Sequence, residues 1–229
     1  MSKVQLLSER MAEAHGFLGV PTHTFDEGGR RQFIALLREG LAPESSICEF
    51  GCGCLRTAYW LIQFLEPGHY CGIEPFQDRV VWGLETLIPK HLRDQKAPIF
   101  DFNADFDVSV FERTFDFFLA GSIWTHASKA HIETMLDGFA QHGAKDGVFL
   151  TSYLPARTPE EDYLGDKWVG TSHESDEPGI VRHNLSWIEE QCAAKELRVD
   201  ALDGQAFDDQ FWLRIQRIDQ GPHPDRLEG

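Results

Sequence analysis

Two glycines and two acids stand at spacings that suit a nucleotide. Gly51 and Gly53 follow a short apolar run, and without a Cβ their backbone can turn sharply and lie directly against a ligand. Glu49 supplies a carboxylate within the same run. Glu74 ends the next apolar run and follows Gly51 by 23 residues, close to the roughly 20 at which a carboxylate reaches a bound ribose. These residues predict a nucleotide-type site.

Arg56 decides which nucleotide is favoured. It stands where a dinucleotide fingerprint has a third glycine, which permits close helix–strand packing beneath a pyrophosphate. The arginine therefore argues against NAD and favours an adenosyl ligand without phosphates. An NAD-type oxidoreductase stays open as the less favoured alternative.

The ordered motifs resemble the class I S-adenosylmethionine (SAM) dependent methyltransferases of the small-molecule type, which have a Rossmann-like fold. Residues 49–53 read Glu-x-Gly-Cys-Gly, and residues 72–75 read Gly-Ile-Glu-Pro. The resemblance covers about residues 41–218 and implies SAM as the cofactor. It implies that Glu74 accepts hydrogen bonds from the ribose hydroxyls and that Glu49 approaches the methionyl ammonium.

The resemblance implies further cofactor contacts. Cys52 lies inside the glycine turn, and Ser122 follows the fourth predicted strand. Arg56 could pair with Glu49, with the methionyl carboxylate or with another acid, and the sequence does not choose. Past the third strand the family holds adenine with an acid and an apolar neighbour. We expect these to be Asp105 and Phe106, with two other acids in the same window as rivals for the acidic role, namely Asp101 and Asp107.

Apolar runs alternate with helical patterns along most of the chain, which is typical of a doubly wound α/β fold. We predict a mostly parallel, seven-stranded sheet that closes with a C-terminal antiparallel hairpin. The expected strands are 47–50, 70–74, 98–102, 115–120, 147–153, 197–202 and 211–218. The expected helices in this part are 57–64, 78–87, 129–141 and 187–196, the last opened by a capping box at Ser186.

Three segments flank or interrupt this pattern. Residues 1–40 are expected to form an N-terminal helical cover with helices at 5–15 and 29–39. In that cover, Phe25 and Phe33 either touch the ligand or pack in the core. Residues 154–183 are a long insertion at the site end of the sheet, and we interpret them as a lid that contacts the substrate. Residues 219–229 are predicted to be a flexible tail.

His126 is the candidate catalytic residue. It follows the buried fourth strand, whose carboxyl end lies over the cofactor in the resembled fold. Histidine has an ordinary pKa of about 6.5 and suits a general base for an oxygen acceptor. The alternative is a structural histidine that caps the next helix. Four other side chains are candidates for the acceptor pocket, although each could equally be structural: Trp124, Tyr163, Trp168 and His183.

The amino-acid composition of the chain further restricts the expected partners, localisation and activity. A net charge of −16 over 229 residues disfavours nucleic acid and anionic lipid as partners. We expect a cytoplasmic protein, because the first ten residues lack an apolar signal region and no run could span a bilayer. The five cysteines are expected to be reduced and to bind no metal. The expected activity is O-methylation of a small molecule, with N-methylation of an amine or SAM binding without catalysis as alternatives. The oligomeric state is not predicted.

Overall fold

A computed structural model describes residues 1–171, 175–176, 178–206 and 209–218 of the chain. The predicted tail, 219–229, lies outside the described residues, as do four residues of the predicted lid. Within the described part, no helix is long and apolar enough to cross a membrane.

A single seven-stranded sheet forms the centre of the protein, with the strand order β3-β2-β1-β4-β5-β7-β6. The five strands from β3 to β5 pair in parallel, and β7 is antiparallel to both of its neighbours. The strand bounds are Ile47–Phe50 (β1), Tyr70–Ile73 (β2), Ile99–Asp101 (β3), Phe115–Ala120 (β4), Gly143–Tyr153 (β5), Leu197–Gln205 (β6) and Phe211–Arg217 (β7). The predicted fold class, including the closing hairpin, is confirmed.

Helices cover both faces of the sheet because the central strands are buried on both sides. Along β1, Ile47 packs into one core cluster while Cys48 and Phe50 pack into the other. The α-helices of the described part are α1 (Lys3–His15), α2 (Phe25–Arg38), α3 (Ala58–Phe64), α4 (Gln77–Thr86), α5 (Lys90–Lys96), α6 (Lys129–His142) and α7 (Leu185–Ala194). Helices α1 to α4 contribute to the first cluster, and α6 and α7 contribute to the second.

Several boundaries differ from the sequence prediction, among them those of α2, β5 and α7. Helix α2 begins at Phe25, four residues before the predicted start at Gly29, and runs through Gly28 and Gly29. Strand β5 begins at Gly143, ahead of the apolar run, through residues that are partly exposed. The predicted capping box at Ser186 is wrong, because Asn184 caps α7 by accepting a hydrogen bond from the backbone N–H of Ser186.

The N-terminal cover lies against the helices that follow β1 and β2. Helix α1 contacts α2 and α4, and α2 contacts α3. The face of α2 that is buried includes Phe25, Gln32 and Leu36, whereas Leu37 is 38% exposed and does not belong to it. The division into a cover (1–40) and a main domain (41–218) stays a prediction.

Candidate active site

A cavity of about 480 Å³ opens at the carboxyl ends of β1, β2 and β4. This is the edge at which parallel α/β sheets bind ligands, and the volume lies within the roughly 300–1,000 Å³ of small-molecule sites. Ten of the residues predicted from the sequence line its wall: Glu49, Gly51, Cys52, Gly53, Arg56, Glu74, Phe106, Ser122, His126 and Trp168.

Gly51 and Gly53, the two glycines of the turn, have different surroundings. Both have positive φ angles, 62° at Gly51 and 53° at Gly53. A Cβ at Gly51 would lie 2.1 Å from the Ile123 side chain, so this glycine makes room for the segment after β4. A Cβ at Gly53 would meet no atom closer than 3.9 Å, so its backbone borders open cavity. Gly53 is therefore the position where the chain can lie directly against a ligand.

Glu74 is held in place by the glycine turn. One carboxylate oxygen accepts a hydrogen bond of 2.8 Å from the backbone N–H of Gly53, and the other accepts one of 3.0 Å from that of Phe76. Burial raises the pKa of Glu74 above its ordinary value, against the lowering effect of these bonds and of the Arg79 charge. Each oxygen keeps a second lone pair for a ligand hydroxyl.

Glu49 is a buried acid at the end of β1. The Tyr70 hydroxyl donates a hydrogen bond of 2.7 Å to its carboxylate. Burial raises the pKa of Glu49 to about 7, although the hydrogen bond from Tyr70 and the charge of Arg56 both lower it. A carboxylate buried in this way is suited to receive a cation from a ligand, because a nearby positive charge offsets the cost of burying the ionised form.

Arg56 packs against the start of α2. A Cβ at Gly28 would lie 2.8 Å from its guanidinium, and a Cβ at Gly29 would lie 2.3 Å from its carbonyl oxygen. The two glycines of α2 therefore allow the N-terminal cover to approach the glycine turn closely. The charge of Arg56 lowers the pKa of Glu49, and which of the expected partners Arg56 binds stays a prediction.

His126 is fixed by the lid, a name used here for residues 154–183. Its Nδ1 lies 2.7 Å from the carbonyl oxygen of Val169, and its own carbonyl accepts a hydrogen bond from the backbone N–H of Val169 at 2.9 Å. A carbonyl can only accept, so Nδ1 carries the proton and Nε2 keeps its lone pair. Burial lowers the pKa of His126 below its ordinary value, with the backbones of Val169 and Gly179 opposing that shift.

Trp168 joins the lid to the wall of the cavity. Its ring stacks on His126 at a centroid distance of 5.7 Å and on Phe106 at 5.9 Å. Phe106 has a φ of 56°, a left-handed conformation that is uncommon for a bulky residue. The three rings form an aromatic wall that orients the histidine.

The lid is also tied to the segment after β4 by backbone and ionic contacts. The backbone N–H of Val181 donates to the carbonyl of Thr125 at 2.8 Å. Lys129, at the start of α6, pairs with Asp162 at 2.9 Å, and both side chains are mostly buried. These contacts fix the roof of the cavity to the same segment that carries His126.

Four predicted site residues do not line the cavity. Asp105 is exposed beside the buried Phe106. Trp124 is fully buried in the core and packs edge-on against Phe149. Tyr163 donates a hydrogen bond from its hydroxyl to the carbonyl of Lys167 within the lid.

His183 is the fourth of these residues, and it has a structural position. It is completely buried, and its Nε2 lies 3.1 Å from the carbonyl oxygen of Ala127. Burial, helped by the charge of Lys129, lowers its pKa to about 4. The imidazole is therefore neutral, and it joins the lid to the segment after β4.

Most residues on one side of the cavity were not predicted individually. Residues 17–21 line this side from the N-terminal cover, beside the predicted candidate Phe25, and Ile180 lines it from the lid. These residues are apolar or lack a reactive group, so no pattern of chemistry could have identified them. Polar wall residues were missed as well, and they are Gln32, Thr57, Arg79 and Gln210.

All five cysteines are free and buried. Burial raises the pKa of Cys52 well above its ordinary value, so its thiol is neutral beside the turn. Among the described residues, no group of three or more histidines, cysteines or acids could hold a metal ion.

Sequence comparisons found no matching family model and no matching curated protein. Solved structures do match over most of the chain. One is magnesium protoporphyrin IX methyltransferase (ChlM) from Synechocystis PCC 6803 with bound SAH, at 14% identity and a TM-score of 0.59, covering 91% of this chain and 93% of that one. Another is the glycopeptide N-methyltransferase MtfA, at 13% identity and a TM-score of 0.61, covering 83% and 90%.

A third match has a different kind of acceptor in its name. It is ribosomal protein L11 methylase from Lactobacillus delbrueckii subsp. bulgaricus, at 12% identity and a TM-score of 0.55, covering 87% of this chain and 81% of that one. This chain has the class I methyltransferase fold. At these identities the likeness establishes the architecture, and the acceptor has to be argued from the cavity.

Proposed function

We propose that the protein is a SAM-dependent methyltransferase that methylates an oxygen atom of a small molecule, with His126 as the general base. The observation that carries this proposal is the single cavity in which Glu74, Glu49 and His126 meet. Two of these residues suit a nucleoside with a cationic amino acid, and the third suits proton removal.

The wall residues match the parts of SAM. The unused lone pairs of Glu74 would accept the two ribose hydroxyls, and the backbone at Gly53 leaves the space beside them open. Glu49 would receive the methionyl ammonium, directly or through water. Phe106 is buried on the cavity wall, where its ring would lie against the adenine. Asp105 is exposed and does not line the cavity, so it would reach the exocyclic amine only from the outer edge.

The reaction needs alignment more than covalent chemistry. When bound, SAM supplies a methyl group on a positively charged sulfur, which an oxygen nucleophile can displace directly. Holding a nucleophile and a reacting group in line can supply several kcal/mol of the barrier reduction. In this chain the segment after β4 and the lid form the surface that would position the acceptor.

His126 has the protonation state that a base requires. Its Nδ1–H donates to the Val169 carbonyl, so Nε2 is free to take the proton of a hydroxyl. Because burial lowers the pKa, the imidazole is neutral at pH 7. The ring of Trp168 stacks on the imidazole of His126 and holds the imidazole plane in place.

A small acceptor is supported by the enclosure of the cavity. The lid covers one side, and residues 17–21 of the N-terminal cover close another. A net charge of −16 opposes binding of a nucleic acid. The described part of the chain also has no membrane-spanning helix. We infer a cytoplasmic enzyme from the same composition.

Calorimetry with SAM and with SAH tests the cofactor site. The wild-type protein should bind both, and Glu74→Gln should weaken binding by about 100-fold, because two hydrogen bonds to a charged acceptor are lost. Glu66→Gln, at an exposed acid outside the cavity, is the control and should bind like the wild type. An absence of heat with the wild type would remove the proposal.

A further inference from the structure

Arg79 is a cavity residue that the cofactor site does not require. It lies in α4, is partly buried and lines the cavity together with Glu74 and His126. Its charge lowers the pKa of both groups, so the guanidinium lies within electrostatic reach of the expected ribose site and of the candidate base.

The guanidinium of Arg79 is held by packing. Its central carbon lies 5.3 Å from the centroid of the Phe76 ring. On the N-terminal cover, a Cβ at Gly19 would approach three guanidinium atoms to 3.2–3.6 Å, so the backbone at this glycine lies close to the group. Contacts of this kind orient the plane of an arginine without using its N–H groups.

Those N–H groups have no acceptor within the described part of the chain. The ion pairs found there join other residues, and the only hydrogen bond found there for Arg79 is made by its backbone N–H to the carbonyl of Phe76 and does not involve the guanidinium. An arginine presents five donors in a planar fork that matches the oxygens of a carboxylate or phosphate. Arg79 is therefore oriented for an anion that the described residues do not provide.

The charges on the described wall of the cavity also favour an anionic ligand. Its acids are Glu49 and Glu74 and its arginines are Arg56 and Arg79, so the carboxylates at most balance the two guanidiniums, and burial favours the uncharged form of both acids. SAM carries a net positive charge, from its sulfonium and ammonium groups against one carboxylate. An anionic acceptor would neutralise the loaded cavity, and a cationic amine would add to its charge.

We propose that the acceptor carries a carboxylate or a phosphate and that Arg79 binds this group with its guanidinium fork. The inference rests on the proposed function, because it assigns Arg79 to the acceptor of that same site. It narrows the acceptor to anionic small molecules and disfavours the methylation of a cationic amine.

The test is calorimetry on the SAH-saturated protein with three probes of similar size. Benzoate carries a carboxylate, phenyl phosphate carries a phosphate, and benzylamine carries a cation. We expect at least one anion to bind and benzylamine not to bind. Arg79→Gln should weaken anion binding at least tenfold, because charge-assisted hydrogen bonds are lost. The preferred anion would identify the acceptor's charged group.

Two further variants control for charge and for folding. Arg79→Lys keeps the charge but loses the planar fork, so it should bind the anion better than Arg79→Gln and less well than the wild type. Arg38→Gln removes an exposed arginine at the end of α2, outside the cavity, and should change nothing. All variants should keep the wild-type affinity for SAH.

Three results would overturn the inference, and a fourth would overturn the proposed function. Equal anion binding by Arg79→Gln and the wild type, or binding of benzylamine in preference to both anions, would overturn the inference. A matching loss of SAH affinity in Arg79→Gln would overturn it too, because Arg79 would then belong to the cofactor site. If the wild type binds no SAH, the proposed function fails, and the same titrations on the ligand-free protein decide the anion site alone.

Discussion

The two sides of the cavity use burial in opposite ways. The strand side, which comprises the ends of β1 and β2, holds two carboxylates, Glu49 and Glu74, whose pKa values burial raises. The lid side holds His126, whose pKa burial lowers. Burial penalises the charged form in each case. The strand side therefore favours a bound cation, whereas the lid side keeps an imidazole neutral and able to accept a proton.

The functional side chains on the two sides of the cavity are also held in place by different kinds of contact. On the strand side, backbone N–H groups from the glycine turn and the start of α4 fix Glu74. On the lid side, a carbonyl from a distant segment and a stacked ring fix His126. Local sequence thus builds one side, and contacts over long sequence separations build the other.

The largest expected effect comes from removing the candidate base. We expect His126→Ala to lower turnover by about 100-fold or more, since a positioned base contributes roughly 10²–10⁴-fold. SAH affinity should stay unchanged because the strand side is intact. Turnover is measured as SAH released with an acceptor found by screening, and SAH affinity is measured by calorimetry.

Two observations sharpen this test. His91→Ala changes an exposed histidine of α5 outside the cavity and should have wild-type turnover. In the wild type, kcat/KM should fall as the pH drops below the lowered pKa of His126, because the protonated ring cannot accept a proton. Unchanged turnover in His126→Ala would remove the base assignment and leave the histidine as a structural link to the lid.

The next effect comes from the aromatic wall. Trp168→Ala should lower turnover about tenfold, because two aromatic pairs of roughly 0.5–1.5 kcal/mol each are lost and the His126 ring is no longer held. It should also destabilise the protein by about 3–5 kcal/mol, as expected for a buried tryptophan. Turnover and urea denaturation measure the two effects.

Trp168→Phe separates orientation from stability. A ring at this position should restore most of the turnover and only part of the stability. Trp60→Ala, in α3 and outside the cavity, provides the comparison for a tryptophan that has no contact with His126. If both alanine variants lowered turnover equally, the aromatic wall would have no special role.

The smallest expected effect concerns Glu49 and has a defined sign. Its folded-state pKa, about 7, lies above its ordinary value of 4.5. The folded protein therefore holds this proton more tightly than the unfolded chain, and stability falls as the pH rises from about 4.5 to 7. The Glu49→Gln variant has no carboxyl group to ionise at this position. Its free energy of unfolding should therefore exceed that of the wild type at pH 8, by an amount on the order of 1–3 kcal/mol.

Urea denaturation at pH 4.5 and pH 8 measures this difference. The two proteins should differ little at the lower pH, and Glu66→Gln should match the wild type at both. The same substitution should weaken SAM binding, since the carboxylate expected to receive the ammonium is lost. A Glu49→Gln variant that is less stable at pH 8 would contradict the strand-side half of the comparison.

Much of the fold follows from local patterns. The apolar runs predicted β1 and β4 to the residue, because both strands are buried on their two faces and have clear ends. Helix α5 was missed because its seven residues are almost entirely polar and short. The predicted start of α2, at Gly29, is four residues late, because the first turn of the helix contains Gly28, which serves close packing against Arg56 and adds no apolar side chain to the helical pattern.

The site divides in the same way. The glycine turn and both acids could be predicted, since their chemistry and spacing are local. The buried positions of Trp124 and His183 could not be predicted, because a ring after a strand or in a lid suits a core or a pocket equally well. Phe106 lines the cavity and Asp105 does not. The backbone of Phe106 is in a left-handed conformation, which its residue type does not reveal.

Val169 binds both the main chain and the side chain of His126. A movement of the lid that separated Val169 from His126 would break both contacts, and the imidazole would then lose the partner that selects its tautomer. If His126 is the base, as proposed, the position of the lid would set whether Nε2 or Nδ1 carries the lone pair that takes the proton.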